Sequence, residues 1–186
     1  MTNATTPALT ELTGTYTLDP SHSRIGFVTR HAMVTKVRGS FNEFEGTATT
    51  ESGLANAGIN VTLQVASVDT RAADRDAHLK SADFFDAEKF PTITFASTSV
   101  EAADADTLRV TGDLTIKDVT KPVTVDFEFG GAATDPFGNE RVGLEGKVVV
   151  NRKDFGLTWN AALETGGVLV SEKVTLEFEV SAIKSA

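Results

Sequence analysis

Val123-Thr124-Val125-Asp126-Phe127-Glu128-Phe129 places every apolar side chain on an odd number and every polar one between. That is the period of an extended strand with one greasy and one wet face, not of a helix. The same alternation runs through Leu108, Val110, Leu114 and Ile116, with Arg109, Thr111, Asp113 and Lys117 between them. It recurs in Ile59-Asn60-Val61-Thr62-Leu63-Gln64-Val65 and in Val174, Leu176, Phe178 and Val180 with Thr175, Glu177 and Glu179 between. Further strands are expected near 23–31, 37–49, 92–101 and 142–151, and one at 14–18, making about eight or nine.

Asp135-Pro136-Phe137-Gly138-Asn139 has the chemistry of a hairpin loop, and Lys121-Pro122 is expected to break between two strands. Short connections favour antiparallel neighbours. One stretch differs. Ala72-Ala73-Asp74-Arg75-Asp76-Ala77-His78-Leu79-Lys80 holds helix formers and no β-branched residue, so a helical insertion is expected over about 71–90, stopped by Pro91. Residues 1–13 are Thr-rich and aperiodic, and are expected to form a loose arm before a single domain over 14–186. A one-sided antiparallel sheet must bury its apolar face, either by closing into a barrel or by folding into a sandwich, and only closure removes the exposed edges.

Composition bounds the function. At 186 residues the chain suits one domain with a sizeable core. Its net charge of −9 argues against broad affinity for nucleic acid or anionic lipid headgroups. Cys is absent, which excludes disulfides, thiolate metal sites and cysteine nucleophiles. No apolar run is long enough to span a bilayer, so stable membrane insertion is not expected. The opening Met1-Thr2-Asn3-Ala4-Thr5-Thr6-Pro7 does not read as a secretory signal, so the expected compartment is the cytoplasm. There are 12 Phe against one Trp and one Tyr. Rings without hydrogen-bonding groups on one sheet face suit either a filled core or an apolar lumen.

Three glycines bear on that choice. Gly39, Gly112 and Gly146 each lie in phase with inward residues of their strands. They either permit bends and close backbone approach or leave space in the interior. With Phe27, Phe41, Phe95, Phe127 and Phe178 also in phase, a hollow barrel would hold a greasy, elongated ligand. Leu63, Leu114 and Ile116 would share the wall, with Phe84, Phe85 and Trp159 near an entrance. His31 ends a strand on the apolar parity, and Arg75 and His78 sit on the insertion. These three are the candidate contacts for a polar ligand head.

Catalytic signals are sparse. His22, His31 and His78 lack the spacing of a local metal pair, and there is no nucleophile elbow or phosphate loop. An enzyme using His22, His31 and Asp76 around a metal or as acid and base stays open, as does a stress-related interaction module with a filled barrel. Asn151-Arg152-Lys153-Asp154-Phe155-Gly156 reads as a polar turn with an ion pair.

Several segments resemble the YceI-like family. They are Leu18-Asp19-Pro20-Ser21-His22-Ser23-Arg24-Ile25-Gly26-Phe27, His78-Leu79-Lys80-Ser81-Ala82-Asp83-Phe84-Phe85-Asp86 and Gly112-Asp113-Leu114-Thr115-Ile116-Lys117-Asp118-Val119-Thr120-Lys121-Pro122-Val123. Phe90-Pro91-Thr92-Ile93-Thr94-Phe95, the Asn151–Gly156 turn and Ser171-Glu172-Lys173-Val174 follow the same pattern. The resemblance implies an all-β, extended antiparallel lipocalin-like barrel with a short helical insertion. It implies binding of a polyisoprenoid or related amphiphile, such as a polyprenyl phosphate or an isoprenoid quinone, with no metal, no other cofactor and no catalysis. The expected partner is thus an amphiphilic lipid and not nucleic acid, with a homodimer left open. Asp118 departs from the family's usual glycine, which is expected to alter one turn.

Overall fold

A computed structural model describes residues 8–51, 53–163 and 167–185. Eleven strands form one antiparallel sheet that closes on itself. In chain order they are β1 (Gly14–Leu18), β2 (Arg24–His31), β3 (Thr35–Phe41), β4 (Phe44–Thr50), β5 (Gly58–Gln64) and β6 (Val68–Asp69). Then come β7 (Thr92–Asp104), β8 (Thr107–Ile116), β9 (Val119–Thr134), β10 (Glu140–Asn151) and β11 (Lys173–Lys184).

The first six strands are three long staves, each broken once. β1 pairs with β4 while β2 pairs with β3, and β4 pairs with β5 while β3 pairs with β6. The breaks lie side by side. Gln64 N donates to Glu43 O, Asn42 N donates to Ser67 O, and a 3-10 turn at Pro20–His22 interrupts the neighbouring stave. With β7 to β11 this gives an eight-stave up-and-down barrel, closed where β11 pairs with both β1 and β2. Outward residues are threonines and charges held in cross-strand pairs: Thr111 with Thr124, Thr115 with Thr120, and Arg109 with Asp126. Polar outside and apolar inside is the reverse of a membrane-spanning barrel. Among the described residues no helix is long and apolar enough to cross a membrane.

Three expectations change. Lys121-Pro122 lies inside β9, and the turn falls at Lys117–Asp118, between the paired Ile116 and Val119. Pro122 is tolerated because β9 at that point pairs only with β8, opposite Asp113. Its pairing with β10 begins at Phe127, so the missing N–H costs no ladder bond. In that turn the positive φ, 59°, falls on Lys117 rather than on Asp118. The arm expected over 1–13 is not loose where it is described. Leu9 begins a 3-10 turn, is 1% exposed, and packs with Leu108 and Val110, closing one end of the barrel.

The insertion carries one short helix, α1 (Ala73–Lys80), which ends well before Pro91, and turns fill the stretch between. Its base is fixed to the barrel through Thr70, 3% exposed. Asp76 accepts from the Thr70 amide at 2.8 Å and from its hydroxyl at 2.6 Å, and Arg75 donates to the Thr70 hydroxyl and carbonyl.

Candidate functional site: the barrel lumen

A cavity of about 300 Å³ runs through the barrel. It extends from Leu12, Leu54 and Leu108 at the end closed by Leu9 to Phe84, Phe85, Leu157 and Val170 at the end covered by the insertion. Its walls are aliphatic and aromatic, with threonines, Tyr16 and one arginine as the polar exceptions. The lumen is therefore not filled, which removes the filled-barrel alternative.

The three inward glycines explain how twelve phenylalanines coexist with open space. A Cβ on Gly39 would come within 2.3 Å of the Phe27 ring, one on Gly112 within 2.5 Å of Phe95, and one on Gly146 within 2.8 Å of Phe127. Phe27 faces Gly39 and Phe127 faces Gly146 in the register, while Phe95 sits two pairs along from Gly112, on the same face. Each ring thus lies over a neighbouring strand's glycine and against the wall, where a side chain in the glycine's place would push it toward the axis. The two readings of these glycines, close approach and interior space, are one arrangement.

Phe27, Phe41, Leu63, Phe95, Leu114, Ile116, Phe127 and Phe178 all line the cavity, as do Phe84 and Phe85 from the insertion. Phe27, Phe41 and Phe85 form a chain of rings with centroids 5.9 and 5.8 Å apart, and Phe127 lies 5.8 Å from Phe178. Trp159 does not line the cavity. It packs behind Phe84, at 5.4 Å, and edge-on to His78, at 4.7 Å.

The candidate head contacts lie elsewhere. His31 is exposed at the tip of β2, because the strand outruns the cavity and parity alone does not tell interior from rim. His78 Nε2 pairs with Asp83 at 2.9 Å on the outer face of the insertion. Arg75 is committed to Thr70. His22 pairs with Asp19 and Asp76 with Thr70, so His22, His31 and Asp76 are not brought together. Among the described residues no three metal-ligating side chains converge.

The residue that sequence reasoning missed is Arg152. It is 5% exposed and lines the cavity. Its Nε donates to Ser171 O at 2.9 Å, one terminal nitrogen donates to Leu157 O at 2.6 Å and Trp159 O at 2.9 Å, and the other donates to Val170 O at 3.2 Å. Among the described residues no carboxylate is paired with it. Glu172, the acid beside it, is bridged to Lys153 at 2.7 Å. Burial pushes the guanidinium's pKa down, against a weaker opposing pull from Glu172. The expected ion pair within 151–156 is therefore replaced by a buried cation held on four carbonyls. The signal available was Arg152 directly following a strand whose inward residues, Val148 and Val150, share its parity.

A YceI-like domain model matches residues 16–182. The UPF0312 protein of Staphylococcus aureus strain MSSA476 is 38% identical over 169 residues, covering 90% of this chain and 95% of that protein. The crystal structure of the Campylobacter jejuni YceI protein superposes with a TM-score of 0.72 at 31% identity, over 84% of this chain and 90% of that one. A polyisoprenoid binding domain from Saccharophagus degradans shares the fold at 16% identity and a TM-score of 0.71, over 91% of this chain and 98% of that domain.

Proposed function

The chain belongs to the YceI-like family, and on that premise we propose that its barrel binds and carries or sequesters an isoprenoid-type lipid, a polyprenyl phosphate or isoprenoid quinone, with no catalysis of its own. The family and its barrel fold point to a binding protein rather than an enzyme. The observation that carries the proposal is the long apolar cavity kept open by phenylalanines laid over glycines. A branched hydrocarbon chain matches such a wall, and the fold neighbour from Saccharophagus degradans is a polyisoprenoid binding domain.

The magnitudes suffice. A chain burying about 500 Å² of apolar surface gains on the order of 12 kcal/mol gross at ~25 cal/mol per Å². Several kcal/mol of ordering cost still leaves useful affinity. Polarity sets the direction. Arg152 is the one buried charged side chain among the described residues, so an oxygen-rich head belongs at its end and the tail toward Leu108. Four carbonyls occupy four of the guanidinium's five N–H groups and leave one for such a head.

Native mass spectrometry of protein purified without detergent tests this. The expected result is a ligand-bound mass, or conversion of apo protein to one on adding prenyl lipid. A homogeneous apo mass that no prenyl lipid shifts would overturn it.

A further inference from the structure

The β2–β3 hairpin stands apart from the rest of the surface. Met33 is 59% exposed and Val34 is 76% exposed at its tip, on a connection of only three residues. Ala32 and Met33 both have positive φ, 50° and 64°, a backbone state that side chains resist and that no glycine or asparagine relieves here. The strained turn holds two apolar side chains out from the barrel, with Met33 braced against Gly167.

The charge around them is equally local. From Arg30 to Arg38 the chain carries Arg30, Lys36 and Arg38 and no acid, on a protein of net charge −9. Arg30 and Lys36 have no carboxylate partner among the described residues, while Arg24 and Arg38 share Glu177. At the same end the β8–β9 turn carries Lys117 and Lys121 with Asp118 between them, and the insertion is mixed in charge, with Asp83, Asp86 and Glu88 beside Lys80 and Lys89, so the unbroken run of cations is the hairpin's own. The opposite end shows the contrary pattern. The β7–β8 turn carries Glu101, Asp104 and Asp106, and the exposed Phe137 is flanked by Asp135 and Glu140.

We propose that this hairpin docks the barrel end-on to an anionic phospholipid bilayer, with Met33 and Val34 entering the interface and Arg30, Lys36 and Arg38 meeting lipid phosphates. An exposed apolar tip flanked by cations is the pattern of peripheral membrane contact. The overall negative charge does not prevent it. Thirteen-residue β7, at ~3.3 Å per residue and a tilt of ~40°, sets the ends roughly 30 Å apart, against a screening length of about 8 Å at physiological salt. The bilayer therefore meets the basic hairpin and is screened from the acidic end. Trp159, with its ring edge-on to His78, lies in the segment that covers the same end. Such docking is peripheral contact and needs no membrane-spanning segment.

Co-sedimentation with vesicles that contain no isoprenoid tests the surface independently of the cargo. The probes are phosphatidylcholine vesicles with and without phosphatidylglycerol, at low and high salt. The wild type is expected to partition at least about tenfold more strongly onto the anionic vesicles, and to lose that preference in high salt. Val34→Asp and the pair Arg30→Gln with Lys36→Gln are each expected to weaken binding by about tenfold. Phe137→Asp, at the acidic end, is expected to change nothing. All three variants replace exposed side chains, and a wild-type melting curve confirms that each is folded. Equal partitioning onto both vesicle types, unchanged binding by Val34→Asp, or an equal loss from Phe137→Asp would overturn the proposal. Because no prenyl lipid is present, that failure is distinct from an empty lumen.

Discussion

The two ends of the barrel are closed by opposite means. At one end the chain's own start supplies the seal: Leu9 is buried on Leu108 and Val110, with Leu12 and Leu54 packed beside them. This is hydrophobic packing with no polar group to satisfy. At the other end the cover includes the irregular segments 157–163 and 167–171, whose carbonyls are gathered by the Arg152 guanidinium. A packed seal weakens gradually as its contacts are trimmed. A polar staple fails at once, because removing its one cation strands several buried acceptors together. The end that must open for a ligand is expected to be the stapled one.

Arg152→Met sharpens this contrast most. It keeps the bulk and removes the donors, and the expected cost is about 3–5 kcal/mol, from several buried carbonyls left without donors at ~1–3 kcal/mol each, partly relieved by local rearrangement. Hydrogen exchange should quicken at residues 167–171 and stay slow at 14–18. If both ends loosened together, the ends would not be independent. Leu9→Ala makes the converse cut, with an expected loss of about 2–4 kcal/mol from transfer and cavity terms. Faster exchange is then expected in β1 and β4 and not around Arg152.

Gly39→Ala acts on the space between the ends. The added methyl collides with Phe27 and turns the ring toward the axis, so a destabilisation of about 1–3 kcal/mol is expected, together with weaker uptake of prenyl lipid. Gly58→Ala is the control. Its Cβ would meet only a Thr49 hydroxyl, at 3.9 Å, and neither stability nor uptake should fall comparably.

The smallest expected effect concerns acid, at the Leu9 end. Arg141 bridges Asp19 and Asp135, each at 2.7 Å. The guanidinium is the main reason that Asp19 is held well below the usual carboxylate range. Burial pushes Asp135 up, but hydrogen bonds from Arg141 and Asn139 outweigh it and hold that group low as well. Both native pKa values are depressed, so the stabilisation is complete above the ordinary carboxylate value near 4 and is lost as pH falls below it. Melting of the wild type should therefore drop between about pH 5 and pH 3, and Asp19→Asn should flatten that drop. An unchanged slope would show that the bridge does not tie this end.

Much of this contrast is hidden in the sequence, for identifiable reasons. Alternation reveals the strands because a one-sided sheet imposes it on every residue, and it correctly sends Phe27, Phe127 and Phe178 inward. The Asp135–Asn139 turn is equally legible, since Asp135 accepts from the amides of Phe137 and Asn139 as such loops require. Pro122 misleads because a missing N–H matters only where a neighbour needs it, and which flank of a strand is unpaired is a tertiary fact. Leu9 is invisible to periodicity, being one buried side chain on an aperiodic segment. Arg152 is invisible because its partners are backbone carbonyls, and every residue type has one. His31 marks the limit of parity itself: the pattern gives the face of a strand, not how far along it the interior extends.

The central claim is that the lumen accommodates a prenyl chain lying along its axis. It is tested most directly by the affinity of delipidated protein for prenyl alcohols of increasing length. Each added isoprene unit that enters the wall of phenylalanines and valines should tighten binding by about tenfold or more, until the chain meets the Leu9 seal and the gain stops. Affinity that is independent of chain length from the shortest alcohol onward would contradict it.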